Sequence, residues 1–315
     1  GAAVRIAMTV GVAGDQPGNL RTVVHERSDG DDSRTVGLSR RVGKLFADLG
    51  VGANVAGAKT LVANSSLSQE GVKLHGKGFI VSPEEARQLG LGVVDGLENH
   101  IRPFRNGRDL SQRARGDMVI DLFGLDINEV RNRFPAVYQW VFERVKPERE
   151  QNKRASYRDN WWIFGEARSD WRLMVTQLPK YIATVKTAKH RVFQYLDSSI
   201  LPESKLIAFA SDSSKILGVL CSRVHVCWAM ATGSWLGIGN DSSYVKSTSF
   251  EKFPTPLDMD ETIKRDIGKI AEKLDSHRKI QLKQHSELTL TGMNNMLEKE
   301  RSEQPLTAKD RANQE

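Results

Sequence analysis

Three short runs rich in β-branched and aromatic side chains follow one another closely: YIATVK (181–186), HRVFQYL (190–196) and KLIAFAS (205–211). Runs of this length and composition read as strands, so this stretch must build a sheet. The next run, ILGVLCSRVHVCWAMA (216–231), is long and apolar enough to be a helix instead, and its periodicity does not choose between the two. DMVIDLFGL (117–125) reads as one more buried strand. Helix signals are interspersed. SPEEARQLGLG (82–92) offers Ser82 as N-cap, Pro83 in the first turn and Gly90 as the stop. DINEVRNRFPAVYQWVFERV (126–145) opens with Asp126 and Glu129 in capping-box spacing. It carries Val137, Trp140, Val141 and Val145 on one face, and Pro135 breaks it. The fold class is therefore α+β (mixed): a β-rich region with inserted helices, followed by a C-terminal helical segment.

At the N-terminal end, VRIAMTVGV (4–12) and LRTVVHE (20–26) are joined by the turn cluster AGDQPGN, which predicts a hairpin. RSDGDDSRT (27–35) reads as a polar loop, Val42–Leu49 as a short helix or turn, and GVGANVAGAK (50–59) as a Gly-rich connection. Residues 61–81 look strand-like, ending in VKLHGKGFIV. KPEREQNKRASYRDN (146–160) is polar enough for an exposed helix or an arm facing a polyanion. Beyond the two prolines of FEKFPTP (250–256), residues 258–284 and about 288–301 have helical patterns, with Ile263, Ile267, Ile270 and Leu274 on one face. The opening residues resemble a strand in mid-fold, so a fragment of a longer protein is expected.

With 315 residues, 39% hydrophobic and 27% charged, the chain has room for two cores. No apolar run approaches the ~18 residues of a membrane span, and the first residues lack a signal-peptide layout. Two cysteines cannot form a disulfide framework, which points to a reducing cytoplasm. The location of the net charge of +7 is informative. Residues 101–200 hold 19 Lys and Arg against 12 Asp and Glu, leaving 27 of each sign elsewhere. Positive charge gathered in one third of a chain is what a polyanion partner requires.

Catalytic signals are weak by comparison. GVKLHGKG (71–78) has the spacing of a phosphate loop, but Gly78 stands where Ser or Thr would hold magnesium. LGIGND, with Gly237 and Gly239, is a lone G-x-G. Cys221, His225 and Cys227 lie within seven residues but have no fourth zinc ligand nearby, so no metal site is expected. DSSILPESK contains Asp197, Glu203 and Lys205, a set that metal-dependent nucleases use around a divalent ion. A nuclease is one alternative reading, and a non-catalytic protein-interaction scaffold is another.

The basic stretches carry more. In RPFRNGRDL (102–110) the Asn106-Gly107 pair predicts a tight turn that splays Arg102, Arg105 and Arg108 outward. Arg can fork onto guanine or bridge phosphates, and Asn can pair with adenine. DNWWIFGEARSDWR (159–172) interleaves Trp161, Trp162 and Trp171 with Arg168 and Arg172. VKTAKHRVFQY supplies Lys186, Lys189, His190 and Arg191 as a phosphate track.

LVANSSLSQEGVKLHGKGFIVSPEEA (61–86), IRPFRNGRDL (101–110), WWIFGEARSDWR (161–172), TAKHRVFQYLDSSILPESKLIAFASD (187–212), LGVLCSRVHVCWA (217–229) and YVKSTSFEKFPTP (244–256) occur in an order that resembles the C-terminal half of MmeI-like DNA methyltransferases. Those are single-chain restriction-modification enzymes that methylate adenine at N6. The resemblance implies that residues 1–59 end a methyltransferase domain, 60–256 form a target recognition domain and 257–315 a C-terminal helical segment. The catalytic Asn/Asp-Pro-Pro-Tyr/Phe loop and the glycine motif for S-adenosylmethionine do not occur here, so no catalytic or cofactor-binding residue is assigned. S-adenosylmethionine would serve the parent enzyme. The partners implied are double-stranded DNA and an upstream methyltransferase domain. Candidate DNA contacts are Arg102, Arg105, Asn106, Arg108, Arg168, Arg172, Lys186, Lys189, Arg191 and Lys246.

Overall fold

The computed structural model describes residues 7–28, 34–236, 241–256, 258–307 and 310–311. The chain divides into two compact units, Gly1–Leu61 and Val62–Glu315. In the first, β1 (Gly18–Ser28) pairs antiparallel with β2 (Arg34–Gly43). The predicted hairpin is therefore shifted by one element: residues 7–12 form no strand, the expected polar loop lends Arg27, Ser28, Arg34 and Thr35 to the two strands, and residues 4–6 and 29–33 lie outside the described residues. Cross-strand pairs such as Val23 opposite Leu38 favour the observed register. The strand β2, which starts at Arg34, has no counterpart in the pattern read from the sequence.

The second unit is α+β, with strands β3 (Ser68–Glu70), β4 (Ile80–Val81), β5 (Ile101–Arg105), β6 (Met118–Ile120), β7 (Lys180–Val185), β8 (Thr187–Ala188), β9 (Phe193–Asp197), β10 (Leu201–Pro202), β11 (Leu206–Phe209), β12 (Ser234–Leu236) and β13 (Asp241–Ser243). They form three small sheets, ordered β10-β5-β6-β4, β3-β11-β7-β9 and β12-β13-β8. The middle sheet explains the apolar runs. Along β11, Leu206 and Ala208 enter one hydrophobic core, while Ile207 and Phe209 enter a second core on the opposite face. A strand covered on both sides has no polar face to alternate with.

The helices are α1 (Pro83–Gln88), α2 (Gly107–Ser111), α3 (Ile127–Arg133), α4 (Pro135–Arg144), α5 (Lys146–Glu150), α6 (Ala155–Asp159), α7 (Ser169–Val175), α8 (Ser214–Cys221), α9 (Arg223–Thr232), α10 (Glu261–Gln284) and α11 (Leu290–Arg301). Ser82 and Glu85 form a reciprocal capping box on α1, and Pro135 separates α3 from α4. The ambiguous run 216–231 is two helices, because the Ser222 hydroxyl accepts from the His225 amide and starts a new helix. Trp161 and Trp171 are buried in the first core, and Trp162 packs against it with its indole donating to the Leu125 carbonyl.

Two expectations are corrected. Residues 61–81 contain only β3, β4 and isolated bridges, with a 3₁₀ turn at Lys77–Phe79 between them. In α10, Ile263 and Ile270 are exposed, and the buried face runs through Gly268, Ala271 and Asp275. The cause is small-residue packing: a Cβ on Gly218 of α8 would fall 2.4 Å from Ile267 Cγ2. Glycines let α8 and α10 approach closely, with Ile267 seated on Gly218, while Ile263, Ile270 and Leu274 stay outside.

His225 is fully buried in the second core, its Nε2 atom 2.9 Å from the Tyr244 hydroxyl. Burial, together with nearby Arg191, holds its pKa at about 3. The unfolded chain therefore binds one more proton than the folded chain between about pH 6.5 and pH 3, so stability must fall as pH drops through that window. Relative to His225→Phe, the native chain is expected to lose up to ~1.4 kcal/mol per pH unit there and nothing above pH 7. Urea unfolding of both proteins from pH 4 to 8 measures the difference, and parallel curves would refute it.

Candidate nucleic-acid interface

An open cleft of about 790 Å³ lies in the second unit. Its walls are the segment from Lys73 to Lys77, α2 with its flanks from Asn106 to Gln112, the residues Glu203–Lys205, Val185 at the end of β7 and Thr187 in β8. Gly71 makes this construction possible. A Cβ there would stand 2.2 Å from the Pro202 carbonyl oxygen and 2.4 Å from that of Glu203. With glycine in place, Val72 N donates to Pro202 O at 2.9 Å and Ser204 N to Val72 O at 3.0 Å, which joins two walls.

The Asn106-Gly107 pair does not make the predicted tight turn. Asn106 is the N-cap of α2: its Oδ1 accepts from the Arg108 and Asp109 amides, while Asp109 Oδ2 accepts from the Asn106 amide. Burial pushes the Asp109 carboxyl up, but hydrogen bonds from Arg115 and the Asn106 amide outweigh it and hold the group below its ordinary range. Arg115 Nε binds Asp109 Oδ1 at 2.9 Å. The fork therefore does not splay. Arg102 turns back to the carbonyls of Ser198 and Ser199, at 2.9 and 3.0 Å, and sits 3.6 Å from Asp121. Arg105 is half-buried, with a bond to the Phe104 carbonyl. Arg108 is exposed on the cleft wall, its Nε held by Gln112 Oε1 at 3.0 Å.

The other predicted contacts are largely engaged inside the fold. Arg172 grips Asp121 with both terminal nitrogens, at 2.6 and 3.0 Å. Arg168, in a left-handed backbone conformation, bonds Glu166 at 2.7 Å and the Gly71 carbonyl at 3.1 Å. Lys186 bonds Glu70 at 2.5 Å. With Lys73 on Glu166 at 2.8 Å and Arg168 within 3.6 Å of Glu70, these side chains form one continuous ion-pair chain. Lys189 meets Glu298 and Asn295, each at 2.9 Å, and Lys246 meets Glu251 at 3.0 Å. Arg191 is enclosed, donating to Ser242 O at 2.8 Å and to Val185 O, and burial lowers its pKa to about 10.

What the fold brings together at the cleft is Asn106 and Arg108 with Lys77 and Lys205. Lys77, Arg108 and Lys205 are exposed, and among the described residues none of their ammonium or guanidinium groups has a carboxylate within 4.0 Å. Lys77 and Lys205 were not among the predicted contacts. Their signal is present in KLHGK and PESK, segments whose patterns read as an incomplete phosphate loop and a nuclease set. His75 is exposed at the cleft, 4.8 Å from the Tyr157 ring, and partial burial with nearby Arg149 lowers its pKa. Arg149 is buried and anchors this wall by donating to Leu74 O and Ile163 O, at 2.8 and 2.7 Å.

The nuclease set is not assembled. Asp197 pairs with Lys180 at one end of β7, and Lys205 lies beside Lys186 at the other. Six strand residues between those ends amount to roughly 20 Å. Glu203 is occupied by the Ser204 hydroxyl and the Lys205 amide. Nor is there a zinc site: Cys227 is exposed, His225 faces Tyr244, and no acidic, His and Cys group suited to a metal occurs among the described residues. Gly237 and Gly239 lie outside the described residues. No helix among the described residues is long and apolar enough to cross a membrane.

No protein-family model matches the chain, and no curated protein matches its sequence. Among solved structures, the fold is similar to one published as the Type IIL restriction-modification enzyme MmeI in complex with DNA. The TM-score is 0.63 at 17% identity, and the match covers 87% of this chain and 35% of the other. The chain thus spans about a third of the length of the protein it matches, and the likeness is one of fold.

Proposed function

We propose that this chain is the DNA target recognition portion of a site-specific DNA N6-adenine methyltransferase of the restriction-modification kind. In this reading it holds duplex DNA and presents the target adenine to a catalytic domain elsewhere in the same polypeptide, in the cytoplasm. The observation that carries the proposal is the convergence around one cleft of the Lys77, Arg108 and Lys205 side chains, which have no carboxylate partner among the described residues. The fold likeness to part of an enzyme solved with DNA supports it. Phosphate contacts from exposed cations set the register of a protein on DNA, and side chains in the major groove select sequence.

The division of labour follows from the cost of the chemistry. An adenine in a duplex must leave the stack before its N6 can be methylated, which takes a few kcal/mol. A second surface that grips the flanking backbone offsets that cost. S-adenosylmethionine would be held by the catalytic domain, since the 315 residues contain neither of the motifs that would bind it or act on the base. A mobility-shift titration of the chain with duplex DNA from about 50 to 300 mM salt tests the proposal. Binding that weakens steadily as salt rises is expected, and salt-independent binding, or none, overturns it.

A further inference from the structure

A space of about 790 Å³ is far too small for a duplex and falls within the range, about 300–1,000 Å³, of sites for single small molecules. Its walls are not uniformly cationic. Leu74, Ile80, Phe104 and Val185 supply an apolar surface, and the cations flank it. The side-chain amides are oriented by their own bonds. Asn106 Oδ1 is used twice in capping, and Gln112 Oε1 accepts from Arg108, so both amides keep their NH₂ groups to donate. The one carboxylate on the wall, Glu203, is satisfied by Ser204 and Lys205. The cleft therefore offers an apolar slot, hydrogen-bond donors and positive charge together. A nucleotide with carbonyl oxygens on its base has the complementary features.

Building on the DNA-binding reading above, we propose that the cleft receives one unstacked nucleotide of the bound DNA. Its base lies against Leu74, Ile80 and Val185, and its phosphates lie on Lys77, Arg108 and Lys205. Thymine and guanine present carbonyl acceptors to the Asn106 and Gln112 amides, whereas adenine presents none. Thymine is also the base left without a partner when an adenine is turned out of the duplex. The cleft would shelter that strand while the adenine is elsewhere.

Fluorescence anisotropy with the whole chain tests this on three duplexes of one sequence: fully paired, with one extrahelical thymidine, and with one extrahelical deoxyadenosine. The thymidine bulge is expected to bind about tenfold tighter than the paired duplex and tighter than the deoxyadenosine bulge. Ser204→Trp, which fills the cleft with an uncharged ring, should abolish the preference, so that all three duplexes bind with the same affinity. Thr187→Trp does the same from the neighbouring segment, so the test stands if one variant fails to fold. Equal affinity of the native chain for all three duplexes overturns the inference. If that equal binding still weakens with salt, the DNA-binding reading survives. Thymidine monophosphate that raises the melting temperature of the native chain but not of Ser204→Trp, without any bulge preference, would assign the cleft to free nucleotides and overturn the strand-bound form.

Discussion

Replacing Lys77, Arg108 and Lys205 together by alanine is expected to weaken duplex binding on the order of a hundredfold or more near 0.1 M salt and to leave the melting temperature unchanged. Each phosphate contact adds roughly 0.9 to the slope of log affinity against log salt, so three contacts are worth about 2.7 log units between 0.1 and 1 M salt. The lost affinity and the reduced slope must appear together. Stability is spared because all three side chains are exposed and none has a carboxylate partner among the described residues, and surface substitutions of this sort change stability by about 0.5 kcal/mol or less. Lys189→Ala and Lys246→Ala are the matched controls. Their ammonium groups already meet Glu298 and Glu251, so each should change affinity only a few-fold. A salt slope in the triple variant equal to that of the native chain would show that these cations do not touch the backbone.

The largest effect on stability is expected at Asp121. Its carboxylate is almost wholly buried, accepts both terminal nitrogens of Arg172 and lies 3.6 Å from Arg102. Asp121→Ala would leave two largely enclosed guanidinium groups without their counter-charge, a change that costs about 3–5 kcal/mol. In a unit of this size each kcal/mol corresponds to roughly 2–4 °C, so the melting midpoint should fall by about 10 °C. Asp121→Asn keeps one acceptor oxygen, turns the other position into a donor and removes the charge, and should fall between the native chain and the alanine variant. Urea unfolding and thermal melts measure both variants, and a loss below about 1 kcal/mol for alanine would mean the pair is offset by solvent.

Local, strongly punctuated elements were readable from the sequence. Ser82 with Pro83, Asp126, and the break at Pro135 are set by neighbouring residues, and each stands where the residue pattern puts it. The apolar runs around residues 181–209 announced a sheet, but only its two-sided burial explains why they lack alternation. Non-local effects were hidden. At Asn106 two local signals compete, the Asn-Gly turn and the Asn-x-x-Asp capping spacing, and the fold takes the second, with Asp109 held further by Arg115.

The candidate site was legible in charge but not in pairing. Nineteen cations in one third of the chain predicted a basic face, yet most of the named ones spend their charge on Glu70, Glu166, Asp121, Glu251 or Glu298. Glu166 and Glu251 lie 2 and 5 residues from their cations, but Asp121 lies 51 residues from Arg172 and Glu70 lies 116 from Lys186, beyond any window that a pattern search covers. The cations left over at the cleft, Lys77 and Lys205, sat in segments whose glycines and carboxylates had suggested other chemistry.

The contacts of α11 have a consequence of their own. Thr291 Oγ1 donates to the Ser111 carbonyl, and Arg113 reaches His285 O from the segment just beyond α2. Lys189, two residues from the cleft-lining Thr187, is tethered to the same helix. The far end of the chain thus acts as a brace on the rim that carries Arg108. Trimming or remodelling that brace would retune grip on a nucleic acid from some 180 residues away in sequence, without altering a single residue that lines the slot.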